Sequence, residues 1–235
     1  MPTLLPVEVV RSIVPQPLPR CRYAFPDAQF SPSDEPVAAG GDFAPETIVE
    51  AYRHGIFPWP HPNEEFLWFS PNPRAVIPIE GLHVSRRLER TLRTGRFRAT
   101  MNAAFPEVIR ACTAREEGTW ITPRIIEAYC RLHELGWAHS FETWTPDGVL
   151  AGGLYGVAVG GLFGAESMFY RVPDGSKAAM VAMMTQARLS GMALIDVQVL
   201  TAHTVSMGAL EIPRTEYLFQ LAAALRLPVQ FTVAR

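Results

Sequence analysis

Three consecutive segments decide the fold: LFGAESMFY (Leu162–Tyr170), SKAAMVAMMTQARLSG (Ser176–Gly191) and MALIDVQV (Met192–Val199). The first and last read as strands, and the middle one reads as a helix stopped by Gly191. A crossover long enough to hold a helix joins parallel neighbours in one sheet. Upstream, His139–Trp144 and Val149–Val159 read as strands, with a hairpin turn at Gly160-Gly161 leading into Leu162. Antiparallel strands followed by a strand–helix–strand unit predict an α+β domain.

Moving outward, the spacing predicts helices over 83–93, 104–115, 123–136, 203–207 and 214–224, and a short strand over 97–101. Residues 1 to about 45 are rich in proline and turn formers. APETIVEAYRH (Ala44–His54) reads as a helix with Gly55 as its stop, followed by a proline-broken IFPWPHP that is neither helix nor central strand. FLWFS, a PNPR turn and AVIPI follow. A boundary near residue 72 divides the expected chain into a small N-terminal α+β domain (1–72) and a larger domain (73–235).

The chain has 235 residues, of which 48% are hydrophobic and 19% charged, which excludes a wholly disordered protein. Its 21 prolines, about 9% against a usual value of roughly 5%, announce many clean stops. A net charge of −2 excludes a chain that is polybasic throughout. Three cysteines without a CxxC pair indicate neither a disulfide framework nor a zinc site, and the histidines lack metal-ligand spacing. The N-terminus does not read as a signal peptide. The longest uncharged stretch, Gly148–Ala165, holds seven glycines, so it suits a hairpin rather than a membrane helix. A cytoplasmic protein with reduced thiols is expected. GxSxG, GxxxxGK[ST] and GxGxxG are all missing, which disfavours serine hydrolase, P-loop and dinucleotide chemistry.

Three features carry candidate chemistry. Glu166 lies in the first decisive strand. Asp196 and Gln198 lie in the second, two residues apart, so strand alternation places both on one face. Two carboxylates and an amide on neighbouring strands make either a reaction centre or a structural hydrogen-bond network. Arg86, Arg87, Arg90, Arg93, Arg96 and Arg98 form a second feature, a window of net +5 that leaves the rest of the chain at −7. Arg86, Arg90 and Arg93 share a helix face opposite Val84, Leu88 and Leu92, and a row of guanidinium groups suits phosphate oxygens. A solvated helix face is the plainer explanation in a chain with 20 arginines and one lysine, Lys177. The third feature is aromatic residues in loops, among them Trp59, Trp68 and Trp120. These either stack on a base or pack in a core. Met168, Met180, Met183 and Met184 suit a soft apolar pocket or a methionine-rich core.

At these motifs the sequence resembles the bacterial leucyl/phenylalanyl-tRNA–protein transferases. The matching segments run in the family's order over residues 38 to about 218: AAGGDFAPETIVEAYRHGIFPW, LWFSPNPRAV, HVSRRLERTL, EEGTWITPRIIEAYCRLHELGWAHS, GGLYGV, AESMFYR and LIDVQVLTAHTVSMGALEIPR. The resemblance implies a larger C-terminal mixed-sheet domain similar to the GNAT acetyltransferase fold. It implies transfer of leucine or phenylalanine, methionine less well, from aminoacyl-tRNA to a protein's N-terminal arginine or lysine, which marks that protein for N-end rule degradation. By position, Glu166, Asp196 and Gln198 match the reaction centre. Trp59, Trp120 and Tyr129 match aromatics of the aminoacyl-adenosine and acceptor site. Leu154, Phe163, Met168 and Met183 match or replace residues of the side-chain pocket, and Arg86, Arg90 and Arg93 match the tRNA-contacting helix. The implied partners are charged tRNA and proteins with N-terminal Arg or Lys, with no membrane and a monomeric chain.

An aminoacyl ester is already activated, so no metal, ATP or other cofactor is expected. The nucleophile is an α-amine with an unperturbed pKa of about 7.7–8.0. An amide such as Gln198 accepts hydrogen bonds but hardly protonates, so it would hold the amine. Asp196 would orient Gln198 or pass the proton onward, and Glu166 would bind the acceptor's N-terminal residue; either carboxylate remains open as a base. A CoA-dependent acetyltransferase is the main alternative. It needs a pyrophosphate loop where this chain has Arg171–Lys177, with Asp174 in place of glycine. A non-enzymatic tRNA-binding module is a third reading.

Overall fold

A computed structural model describes residues 5–60, 66–114 and 118–231. The decisive stretch folds as its pattern requires. Strand β9 (Leu162–Tyr170) leads into helix α5 (Gly175–Ser190) and back to strand β10 (Leu194–Gln198), which runs parallel to β9. Gly191 ends α5 in the left-handed region at φ +77, and its N–H closes on Ala187 and Arg188. Only glycine takes that conformation without strain. Strands β8 (Leu150–Val159) and β7 (Ala138–Trp144) extend the sheet, β8 antiparallel to β9 and β7 antiparallel to β8.

The remaining elements follow from local signals. Helix α2 (Arg86–Arg93) starts at Ser85, whose hydroxyl accepts the Leu88 N–H, and buries Leu88 and Leu92. Helix α4 (Pro123–Glu134) starts at Thr122, whose side chain accepts from Ile125 N–H, with proline in its first turn. Helix α3 (Phe105–Ala111) stops earlier than expected, giving way to a turn at Cys112, and of its expected extension only Arg115 lies outside the described residues, as does the His61-Pro62 end of the proline run. Helices α1 (Pro45–Arg53), α6 (Ala202–Ser206) and α7 (Arg214–Ala224) fall close to where spacing placed them.

Among the described residues eight strands form one sheet, in the order β1-β6-β7-β8-β9-β10-β5-β11, and three form a second, β2-β4-β3. The small sheet is made of β2 (Ala38–Ala39), β3 (Phe57–Pro58) and β4 (Leu67–Phe69). Its Trp68 is buried and donates from Nε1 to Gly40 O at 2.9 Å. The large sheet recruits strands that local pattern does not announce. β1 (Val7–Val9), from the stretch read as irregular, pairs parallel with β6 (Arg98–Met101). β5 (Arg74–Ile77) lies between β10 and β11 (Leu210–Ile212), antiparallel to both. Strands of three or four residues carry too little periodicity to identify alone and draw their order from the partner edge.

Each face of the large sheet carries a core. Ile48 and Tyr52 of α1, Phe105 of α3, Tyr129 of α4 and Tyr217 of α7 pack with Tyr155 and Val157 on one face. Leu88 and Leu92 of α2 and the alanines and methionines of α5 pack with Phe141, Leu154 and Phe163 on the other. A Cβ on Gly152 would lie 2.5 Å from the Gly175 carbonyl carbon, so the start of α5 sits directly against β8. Thr143 Oγ1 ties that contact by donating to Gly175 O at 3.0 Å.

Buried histidines make the fold sensitive to acid. His139 is 1% exposed, and its Nδ1 accepts from Asn102 Nδ2 at 3.1 Å. Burial pushes its pKa down to about 3, and burial also lowers His133. The unfolded chain, with histidines near 6.5, therefore binds protons that the folded chain refuses over the window from about 6.5 down to about 3. Urea denaturation of wild type and His139→Gln should show wild type losing more stability than the variant as pH drops through that window. Identical pH dependence of the two proteins between pH 7 and pH 4 contradicts this reading of His139.

Candidate active site

Two neighbouring strands part to make the cleft. β9 and β10 pair only as far as Gly164 and Asp196, and both are bulged at the point of separation. In β9, Tyr155 faces Ser167 and Gly156 faces Ala165, so Glu166 is the extra residue. In β10, Asp196 faces Val76 and Gln198 faces Ala75, so Val197 is extra. Gln198 lies at φ +58, and Val199 N–H closes on Val197 O at 2.7 Å. Bulges re-aim side chains and end pairing. Here they open a cleft of about 340 Å³, mostly apolar, whose lining includes Trp59, Trp120, Glu166, Met168, Gln198 and His203.

Glu166 stands at the floor of this cleft between two tyrosines. Tyr52 of α1 donates its hydroxyl to Oε1, and Tyr129 of α4 donates to Oε2 at 3.2 Å. Burial, reinforced by the negative charge of Asp196, raises the Glu166 carboxyl well above the ordinary glutamate range. Burial likewise pushes the Tyr129 phenol upward, so Tyr129 stays a hydrogen-bond donor.

Asp196 does not share the outlook of Gln198, contrary to the alternation argument. The extra residue Val197 breaks the two-residue period. Asp196 turns into the core, where it and Arg74 are both 0% exposed, whereas Gln198 opens to the cleft. Arg74 Nε donates to Asp196 Oδ1 at 2.9 Å and Nη2 donates to Oδ2 at 2.6 Å, a bidentate pair. Arg74 Nη1 also donates to Gly55 O at 3.1 Å, and Tyr217 OH donates to Asp196 Oδ2 at 2.8 Å. The rings of Phe57 and Tyr217 lie 4.7 and 4.5 Å from the guanidinium carbon. Although burial lowers the Arg74 pKa, the charge and hydrogen-bond interactions with Asp196 and Tyr217 together outweigh it and the net shift is upward. Asp196 Oδ1 accepts the backbone N–H of Gln198 at 2.9 Å, so the ion pair fixes the strand turn that presents Gln198.

The structure brings Trp59, Trp120, Glu166, Met168 and Gln198 to one cleft. Tyr129 stands behind Glu166. Leu154, Phe163 and Met183 are fully buried in the core on the α5 side and do not line the cleft. Arg86, Arg90 and Arg93 are exposed along α2, with Arg93 ion-paired to Glu89 at 2.5 Å. Sequence reasoning missed Arg74, Tyr52, Tyr217 and His203. Arg74 had a signal, a charge opening the apolar run AVI after a turn, but its partner lies 122 residues away. Among the described residues no group of His, Cys, Asp and Glu side chains is placed to hold a metal ion, and no helix is long and apolar enough to cross a membrane.

A mixed sheet that parts over an acid and an amide, walled by two tryptophans, offers the polar groups and apolar walls that a group-transfer enzyme needs. The sequence profile of the leucyl/phenylalanyl-tRNA protein transferase family matches residues 76–222, and the profile of that family's N-terminal domain matches 41–72. The chain is 49% identical to the leucyl/phenylalanyl-tRNA–protein transferase of Anaeromyxobacter dehalogenans strain 2CP-C, over 87% of this chain and 89% of that one. Identity is 50% to those of Yersinia enterocolitica and Escherichia coli O1:K1, in each case over 85% of this chain and 86% of the relative. The chain belongs to this family and is an aminoacyl-tRNA–protein transferase. Among solved structures, L-PGS from Bacillus licheniformis overlaps it at 11% identity and a TM-score of 0.40, covering 68% of this chain and 54% of that one, a likeness too loose to carry any argument.

Removing one member of a buried ion pair strands the other, a loss of about 3–5 kcal/mol. Asp196→Asn and Arg74→Met should each lower unfolding stability by that order, measured by urea denaturation at pH 7. A loss below about 1 kcal/mol for both would show that the pair is not enclosed as described.

Proposed function

We propose that this cleft transfers leucine or phenylalanine, and methionine less well, from aminoacyl-tRNA to the N-terminal arginine or lysine of a protein, forming a peptide bond and a mark for N-end rule degradation. One observation carries the reading: Glu166 and Gln198, from two strands that part, converge on one apolar cleft walled by Trp59 and Trp120. Family membership supports the reaction type. The chain acts as a cytoplasmic monomer, with residues 1–72 and 73–235 as its two domains.

In this mechanism geometry supplies most of the rate. Holding an ester and an amine in attack geometry contributes about 7–11 kcal/mol. Gln198 accepts a hydrogen bond from the attacking amine through its side-chain oxygen, and its Nε2, buried and without a partner among the described residues, is free to donate to substrate. Asp196 is a positioning residue. Locked to Arg74, it acts through the Gln198 backbone rather than as a base. Glu166, held by two tyrosines, binds the acceptor's N-terminal residue. Trp59 and Trp120 stack on the terminal nucleoside, with Tyr129 holding Glu166 from behind. Met168 receives the amino-acid side chain, with Leu154, Phe163 and Met183 as the packed layer that fixes the pocket's depth. A methylene discriminates by only about 1–3 kcal/mol in such a pocket, which suits mixed leucine and phenylalanine use.

No observation favours the acetyltransferase alternative.

With labelled leucyl- or phenylalanyl-tRNA and a peptide beginning with arginine, label should move to the peptide. Glu166→Ala and Gln198→Ala should each lower the rate by about a hundredfold while leaving tRNA affinity intact. Failure of the folded protein to transfer either amino acid overturns the assignment. The row Arg86, Arg90 and Arg93 is proposed to meet tRNA phosphates. Replacing all three with alanine should flatten the dependence of log affinity on log salt by about two to three units. An unaltered slope removes α2 from the interface.

A further inference from the structure

Two buried nitrogen atoms on the cleft have no hydrogen-bond partner among the described residues: Gln198 Nε2 and His203 Nε2. Buried polar groups are almost always satisfied, so an orphan nitrogen on a side chain that lines a cleft marks a place where a small adjustment lets a ligand atom complete it. The mechanism above uses Gln198 and leaves His203 unexplained.

The backbone that carries His203 is held in place. Thr201 and Thr204 form a reciprocal cap at the start of α6, with Thr201 N–H donating to Thr204 Oγ1 at 2.9 Å and Thr204 N–H donating to Thr201 Oγ1 at 3.1 Å. At the other end Met207 O accepts the His83 N–H at 2.9 Å. A Cβ on Gly208 would lie 2.2 Å from Gly81 O, so the two segments are in close contact. Ser85, two residues after His83, caps the arginine helix. The cleft wall bearing His203 is therefore continuous with the surface that carries the exposed cationic row.

Charge narrows what His203 meets. Burial and the nearby Lys177 of α5 hold its pKa below the ordinary histidine value, so at neutral pH the ring is uncharged, with one donor and one acceptor nitrogen. Lys177 disfavours a cation on this wall, and the acceptor's N-terminal residue is bound at Glu166 instead. A neutral group that both donates and accepts fits, and the nucleoside end of the charged tRNA supplies hydroxyls of that kind.

We propose that His203 is a substrate-binding residue that holds the terminal ribose of the charged tRNA, its Nε2 hydrogen-bonding the hydroxyl beside the ester. The inference rests on the transferase reading and deepens it. The test uses the full chain with His203→Ala and His203→Gln, and leucyl-tRNA ending in either an ordinary ribose or one lacking that hydroxyl.

On the ordinary ester, His203→Ala should lower kcat/KM about tenfold to a hundredfold, and His203→Gln should recover part of the loss. On the deoxy ester, wild type and His203→Ala should be equal, with the acceptor KM and thermal midpoint unchanged throughout. An equal loss on both esters, a rise confined to the acceptor KM, or no loss at all overturns the proposal. If the alanine variant does not fold, the glutamine variant completes the same comparison. A wild type inactive on the ordinary ester sinks the transferase reading itself, whereas an active wild type matched by His203→Ala sinks only this contact.

Discussion

The buried pair of Arg74 and Asp196 holds the site together. Two ions taken from water carry a desolvation penalty of several kcal/mol each, which only good geometry and further hydrogen bonds offset. Both conditions are met. The pair is bidentate, its spare donor reaches Gly55 O, its spare acceptors take Tyr217 OH and Gln198 N–H, and aromatic rings lie beside the guanidinium. Those partners come from the turn after α1, from β3, from β10 and from α7. One interaction therefore ties the N-terminal segment and the last helix to the strand that presents the cleft amide.

The cleft exists because two strands stop behaving as strands at the same level. A regular β9 and β10 would pair to their ends and close the gap, and the second carboxylate and the amide would share a face. Single extra residues at Glu166 and Val197 cancel that regularity. The result divides two acids by environment. Asp196 is enclosed with a permanent cation and serves as structure. Glu166 faces the cleft between two hydroxyl donors, and its raised pKa makes its charge responsive to what binds there.

The aromatic residues divide the same way. Trp59 and Trp120 line the cleft, while Trp68 is 1% exposed with its N–H on Gly40 O and is part of the small sheet's packing. A loop tryptophan beside turn residues reads alike in all three places. Similarly, Met168 reaches the cleft and Met183 is 0% exposed in the α5-side core, although both are methionines in the same strand–helix–strand unit.

The sequence alone determined the strand–helix–strand core, the hairpin before it, the amphipathic α2 with its outward arginines, and the transferase resemblance. These are written in short-range periodicity, in caps such as Ser85 and Gly191, and in contiguous motifs, all of which act between residues a few positions apart. Tertiary structure alone decided that Asp196 faces Arg74 rather than substrate, that Tyr52 reaches Glu166, that the segment around Val7 joins the large sheet, and that His203 closes one wall of the cleft. Those contacts join residues about a hundred positions apart or depend on a bulge that shifts register by one. Local pattern fixes which way a side chain points only while the period holds, and at this site the period is broken.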